Sequence, residues 1–286
     1  MLREIRSLGF DRAELSHGIR ISLLPGIIEA VDAGEMKISS LHNFCPLPMG
    51  VNHAAPNLYK FSAADARERE NAWRHTMKTL ETAARVKAPA VVLHLGAIEM
   101  KDYTDKLLEM VAGGQKDTPK HEKLCAELMA RREEKKGEPM ELMCGMLARL
   151  ATEAEARGLR LGLENRAALE EIPLEDDFAF LLREFNRPGI GYWHDTGHAQ
   201  IKENLGFISH PMFLGSLADR LMGMHVHDVE FPGRDHRAPG SGMIDFAALK
   251  PMIKPEVIKV FEFSPRLTEE EARRGVAHVK QLWGEE

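Results

Sequence analysis

Seven short runs of β-forming residues recur along the chain, each separated from the next by a stretch of helical period. That alternation restricts the fold to a mostly parallel sheet covered by helices. The runs are Arg12–Ser16, Lys37–His42, Ala90–Leu95, Leu159–Glu164, Ile190–Asp195, Leu221–Val226 and Val257–Phe263. Helical candidates include 63–87, opened by the capping-type pattern Ser62-Ala63-Ala64-Asp65, and Glu269–Trp283, opened by Thr268-Glu269-Glu270-Glu271. The 286 residues, 44% of them hydrophobic, suffice for one large α/β core. No linker-like break divides them, so a single domain over 1–286 is expected.

The connection from Ala97 to Gly158 is too long for one covering helix. Its middle, Lys120–Lys136, is heavily charged, and Gly137-Glu138-Pro139 separates it from a second amphipathic run, Met140–Arg157. The pattern predicts a helical insertion over 98–158, read as an inserted pair of helices. Its charged run is either a solvated face, or a lid or subunit contact, which leaves a homo-oligomer open.

The strand runs share a second property: their last residues, or those just beyond, are polar and chemically useful. They are Glu14 and His17, His42, His94, Glu164, Asp195 and His198, His225 and His227, and Glu262. Parallel strands of a β/α barrel present their C-terminal ends on one rim, where such enzymes keep their chemistry. Carboxylates and imidazoles are present in similar number and thiolates are absent. That mixture suits a divalent metal such as Mn, Co, Mg, Fe or Zn, and argues against a thiolate zinc site. Phe261 and Phe263 flank Glu262, so strand alternation sends the two rings one way and the carboxylate the other, inward. An inward carboxylate on an apolar strand is costly unless paired or metal-bound. By the same alternation His225 and His227 share a face, one able to ligate while the other orients substrate, with Asp228 a candidate acceptor fixing a tautomer. Taken singly, His42 or His94 fits a hydrogen-bonded structural histidine. Glu164, Asp195, His225 and Glu262 form the functional set, because four strands in order each deliver a ligand type to the same rim. Arg166 could reach a substrate anion, or form an ordinary salt bridge.

Several motifs in this order resemble the xylose isomerase-like barrel superfamily over about Leu2 to Trp283. They are Gly9-Phe-Asp-Arg-Ala-Glu-Leu15, His94-Leu-Gly96, Leu163-Glu-Asn165, His194-Asp-Thr-Gly-His198, Met224-His-Val-His-Asp228, the segment from Arg234 to Phe246, and Phe261-Glu-Phe263. The resemblance implies a TIM (β/α)8-type barrel whose epimerase-like members hold one divalent metal on residues matching Glu164, Asp195, His225 and Glu262. The two glutamates, Glu164 and Glu262, would serve as acid and base through an enediolate of a small sugar, sugar acid or related ketone. His42, His94, His198, His227, Arg234 and His236 would face the carbohydrate. The endonuclease IV-like branch, a zinc phosphodiesterase, would instead use His42, His94, Glu164, Asp195, His198, His225, His236 and Glu262 as zinc ligands. That branch has an aspartate where this chain has Arg234, and a cation there would repel zinc. A dehydratase and a non-catalytic barrel are further readings. Members of the superfamily open with a strand, whereas Met1–Gly9 reads as the first helix. The first strand is therefore expected to be missing, through a late start or an open barrel, with a gap or irregular closure beside the Glu262 strand.

Composition excludes other classes. A net charge of −6 offers no field for a polyanion, so no nucleic-acid partner is expected. No apolar run reaches membrane-spanning length, and the N-terminus lacks a signal peptide's apolar core. Cys45, Cys125 and Cys144 are too few and scattered for a disulfide framework and read as reduced thiols, hence a soluble cytoplasmic protein.

Overall fold

The computed structural model describes residues 1–284. Its main sheet has seven parallel strands: β1 (Arg12–Leu15), β2 (Lys37–His42), β3 (Ala90–Leu93), β4 (Arg160–Glu164), β5 (Ile190–Asp195), β6 (Leu221–Val226) and β7 (Ile258–Phe261). Their hydrogen-bonded order is chain order from β1 to β7, the topology of a β/α barrel with seven strands in place of eight. All seven expected runs are strands, three with the expected bounds and four shorter by one to three residues. The first element is a helix, α1 (Leu2–Ser7), and the strand order starts with β1 and ends with β7, the strand leading into Glu262. The missing first strand and the interrupted ladder beside Glu262 are thus both seen.

The remaining helices are α2 (Leu24–Asp32), α3 (Ala66–Arg85), α4 (Thr104–Ala112), α5 (Pro119–Lys135), α6 (Gly137–Glu155), α7 (Glu175–Glu184), α8 (Thr196–Leu205), α9 (His210–Leu217), α10 (Phe246–Leu249) and α11 (Glu269–Trp283). At least one stands between each pair of consecutive strands. The cap of α3 differs from expectation: Asp65 accepts from the Arg67 amide at 2.8 Å. Ser62 is unavailable because its hydroxyl is bonded to both the amide and the carbonyl of Ala97. The α11 start agrees with the sequence, with a full Thr268–Glu271 capping box. The inserted stretch holds three helices, not a pair, because α4 precedes the two foreseen.

The chain forms two compact units. The first comprises 1–97, 138–164 and 181–191. Leu15, Ile38, Leu41, Val91, Val92, Leu161 and Leu163 form its strand core, each at most 3% exposed, and burying each such side chain stabilises by about 1.5–3 kcal/mol. Register pairs such as Ala13 with Ile38 and Val91 with Leu161 keep like faces together. Arg149 of α6 lies over the Trp73 ring of α3 at 4.1 Å.

The second unit comprises 98–137, 165–180 and the chain from Tyr192 onward. Phe178, Tyr192, Trp193, Leu214, Met224 and Val226 are fully buried in it. Gly223 of β6 is glycine for a packing reason, since a Cβ there would run into the Trp193 ring. Trp283 closes the chain's last helix by donating its indole N–H to the Phe246 carbonyl at 2.8 Å. All three cysteines are free, and burial pushes the Cys45 thiol up to about 12, so it stays protonated and inert. Among the described residues no helix is long and apolar enough to cross a membrane.

Candidate functional site

In the first unit, the ends of β2, β3 and β4 bring His42, His94 and Glu164 together. Glu164 Oε2 lies 3.2 Å from His42 Nε2 and 2.9 Å from His94 Nε2. The two rings meet edge to face at 4.6 Å, and His17 packs at 4.6 Å on His42. His42 Nδ1 is 2.9 Å from the Asn43 carbonyl, which can only accept, so the ring proton sits on Nδ1. His94 Nδ1 likewise meets the Asn57 side-chain oxygen at 2.7 Å. Both Nε2 atoms face the same buried Glu164 oxygen, and the three side chains form a group that could hold a metal ion. That arrangement accommodates a cation. Ligands about 2.1 Å from a tetrahedral ion are about 3.4 Å apart, close to the distances here.

In the second unit the pattern begins at Asp195. It ends β5 and caps α8, its Oδ1 accepting the His198 amide at 2.7 Å. Asn165, the residue after Glu164, grips the Asp195 main chain on both sides, donating to its carbonyl at 3.0 Å and accepting its amide at 2.7 Å. His225 is the register partner of Asp195 on β6. Its Nδ1 lies 3.8 Å from Asp195 Oδ2 and 3.2 Å from Glu262 Oε2. Glu262 follows β7 directly and is 22% exposed, whereas Asp195 and His225 are fully buried. Three of the four expected ligands thus converge in this unit, with no thiolate and no cationic side chain among them. The set fits a divalent ion.

His227 also reaches Asp195 Oδ2, at 3.0 Å through Nε2, as strand alternation from His225 requires. Its ring stacks on that of His236, centroids 4.3 Å apart. His236 stands on the hairpin of Asp228–Glu230 and Arg234–Arg237 with φ at 55°, a left-handed conformation uncommon outside glycine. Burial opposes its charge, but hydrogen bonds to Asp235 and Glu262 outweigh that and raise its pKa to about 11. Burial likewise pushes Asp235 up, and the His236 partnership reverses this to a net lowering. Asp235 lies 3.0 Å from His236 Nδ1, a role the sequence did not assign to it.

Two residues, Arg234 and Asp228, lie elsewhere than expected, and Arg166 takes the salt-bridge alternative. Arg234 is exposed and pairs with Glu230 at 3.3 Å, so the structure does not bring it to the other site residues. Asp228 fixes no histidine tautomer. Its carboxylate accepts the amides of Val229, Gly240, Gly242 and Ile244 at 2.8 to 3.0 Å and so shapes the loop that carries His236. Arg166 forms a salt bridge with Glu171 at 3.1 Å while its guanidinium lies 3.4 Å from His198 Nδ1. His198 Nδ1 also lies 2.9 Å from the Asn165 carbonyl.

His194, inside the same motif as Asp195, points to the other face of β5. It bonds Tyr192 Oη at 2.7 Å and His210 at 2.9 Å in a buried chain. Burial lowers the His210 pKa to about 3 and depresses His194 well below the ordinary range. The unfolded chain takes up these protons below about pH 6.5, whereas the folded chain does not, so stability falls as pH drops from there toward 3. His210→Phe is expected to flatten that loss by on the order of 1 kcal/mol per pH unit in urea melts between pH 6.5 and 5. Equal slopes for variant and wild type would contradict the assignment.

A family model described as xylose isomerase-like TIM barrel matches residues 2–282. Among solved structures, the chain is similar to a D-tagatose 3-epimerase-like protein, with a TM-score of 0.70, 16% identity and coverage of 99% of this chain and 91% of that one. It is also similar to a 3-keto-D-glucoside 4-epimerase from E. coli, with a TM-score of 0.67, 15% identity and coverage of 98% and 92%. A D-psicose 3-epimerase determined in the presence of D-fructose follows at 0.67, 14% identity, 99% and 92%. No curated protein matches the chain by sequence.

Proposed function

Because the chain belongs to the xylose isomerase-like TIM barrel family, we propose that it is a metal-dependent isomerase or epimerase of a small sugar, sugar acid or related ketone. In this reading Glu164, Asp195, His225 and Glu262 hold one divalent ion. The observation that carries it is His225 Nδ1 set between the carboxylates of Asp195 and Glu262, at 3.8 and 3.2 Å. The similarity in fold to sugar epimerases supports the choice of substrate class.

A bound divalent ion would polarise the carbonyl and neighbouring hydroxyl of the sugar, lowering the cost of an enediolate. Glu262, the most exposed of the four, takes the proton from the carbon beside the carbonyl. Glu164 supplies one from the opposite face, which inverts that centre or, by returning it to the neighbouring carbon, moves the carbonyl. His198 contacts the substrate. His42, His94 and His236 complete the polar lining.

About one ion of Mn, Co, Mg, Fe or Zn per chain is expected from elemental analysis of the purified protein, with loss of turnover on chelation and recovery on its return. A second reading is zinc phosphodiester cleavage, favoured by the grouping of His42 and His94 with Glu164. Two or three tightly held zinc ions together with nicking of abasic DNA would replace the epimerase reading by that one.

A further inference from the structure

Asp195 is the ligand with the least freedom, and the donors around it say what fixes it. Its Oδ1 is engaged by the His198 amide at 2.7 Å, and Oδ2 meets His227 Nε2 at 3.0 Å. The state of the His227 ring follows from its other nitrogen. Nδ1 lies 3.0 Å from the His236 amide, and an amide N–H can only donate, so Nδ1 carries the lone pair. The ring proton of neutral His227 is therefore on Nε2, pointed at Asp195.

We propose that His227 is a positioning residue for metal binding rather than a ligand or a substrate contact: it donates Nε2–H to Asp195 Oδ2 and so fixes which lone pairs of that carboxylate remain for the ion. This rests on the metal site proposed above. Both nitrogens are used, one donating and one accepting, which leaves none to bind an ion. Three independent features hold the ring in that pose. Thr196 clamps the His227 main chain, its hydroxyl donating to the carbonyl at 2.7 Å and accepting from the amide at 3.1 Å. The His236 ring stacks on one face, at an interplanar angle of 6°. Gly197 permits the approach of the ring, because a Cβ at that position would collide with Cε1 and Nδ1 of His227. A glycine in the first turn of α8 lowers helix propensity, and the room it leaves is filled by this ring. Hydrogen-bonded partners of this kind typically govern metal affinity by roughly 10- to 100-fold.

The test has two arms. In metal-free, uniformly 15N-labelled wild-type protein, two-bond proton–nitrogen correlation spectra should show His227, assigned by its absence in His227→Gln, with Nε2 protonated and Nδ1 bare. A Nδ1–H tautomer or an imidazolium would overturn the proposal. In Mn²⁺ titrations His227→Ala should bind roughly 10- to 100-fold more weakly, and His227→Gln, whose amide can donate to Asp195, should recover most of the affinity. Gly197→Ala should weaken Mn²⁺ in the same direction by pushing the ring away. Wild-type protein that binds no divalent ion would remove the metal reading while the tautomer stays readable. Wild type that binds Mn²⁺ alongside His227→Ala and Gly197→Ala variants both as tight would keep the metal and sink this inference. If His227→Ala fails to fold, the Gln and Gly197 variants and the spectra still decide.

Discussion

Glu262→Gln is expected to cut turnover by roughly 100- to 10,000-fold, the range for removal of a positioned acid or base, with the fold intact. The side chain follows the end of β7 and is 22% exposed, so an isosteric amide opens no cavity. The amide can still meet His225 at the 3.2 Å separation seen for the carboxylate, but it cannot take a proton from carbon. Because the change also removes one ligand charge, the assay belongs at saturating Mn²⁺. Its readout is loss of solvent deuterium incorporation into whichever ketose the wild type converts. Glu164→Gln should act in the same direction. There the carboxylate faces two imidazole nitrogens, and an amide would present N–H to one of them, so its effect on metal affinity should be the larger. Undiminished exchange in both variants would remove the acid and base roles.

The largest effect on stability is expected at Arg132, far in sequence from any strand end. Its side chain is 1% exposed on α5 and donates to the carbonyls of Leu169 and Glu171, while Asp177 lies 3.7 Å away. Burial lowers its pKa from the usual arginine value, although Asp177, Glu175 and Glu170 oppose this. Arg132→Met would strip two carbonyls of their donor and leave Asp177 with Lys136 at 3.6 Å as its cationic partner beside the Leu174 amide at 3.0 Å. Breaking such a buried pair costs about 3–5 kcal/mol, which for a chain of this size lowers Tm by on the order of 10 °C. Arg131→Met is the control. Its guanidinium is 54% exposed and pairs with Glu134 one turn on, an interaction worth at most about 1 kcal/mol. Thermal melts that place the two variants within a degree or two of each other would show that Arg132 is not an anchor.

Much of this molecule was legible in its residues, and the limits have physical causes. The central strands announce themselves as runs buried on both faces, as in Ala90–Leu93, every residue of which is buried, while β1 and β7 are only partly buried. Glu164, Asp195, His225 and Glu262 stood out because a carboxylate or imidazole at the end of such a run has few inexpensive structural uses. Helix α4 was missed because its charged residues, Asp105, Lys106 and Glu109, hide a short apolar stripe of Leu107, Met110 and Val111 inside a long polar stretch. Loop partners were harder still. Asp235 rather than Arg234 meets His236 because of a left-handed turn at one residue, and local φ is not written in composition. The Asp228 carboxylate gathers amides up to sixteen positions downstream, a pairing that only the folded loop creates. His17, just beyond β1, is laid against His42 by a turn that its position in the sequence does not specify.

The placement of Asp195 has one more consequence. A residue that finishes a strand, caps the following helix and belongs to the candidate metal centre makes the first turn of α8 a reporter of that centre. The His198 amide is protected only while Asp195 holds it. Its hydrogen–deuterium exchange should therefore slow when an ion restrains the carboxylate, so that occupancy could be followed at a single backbone amide without any substrate at hand.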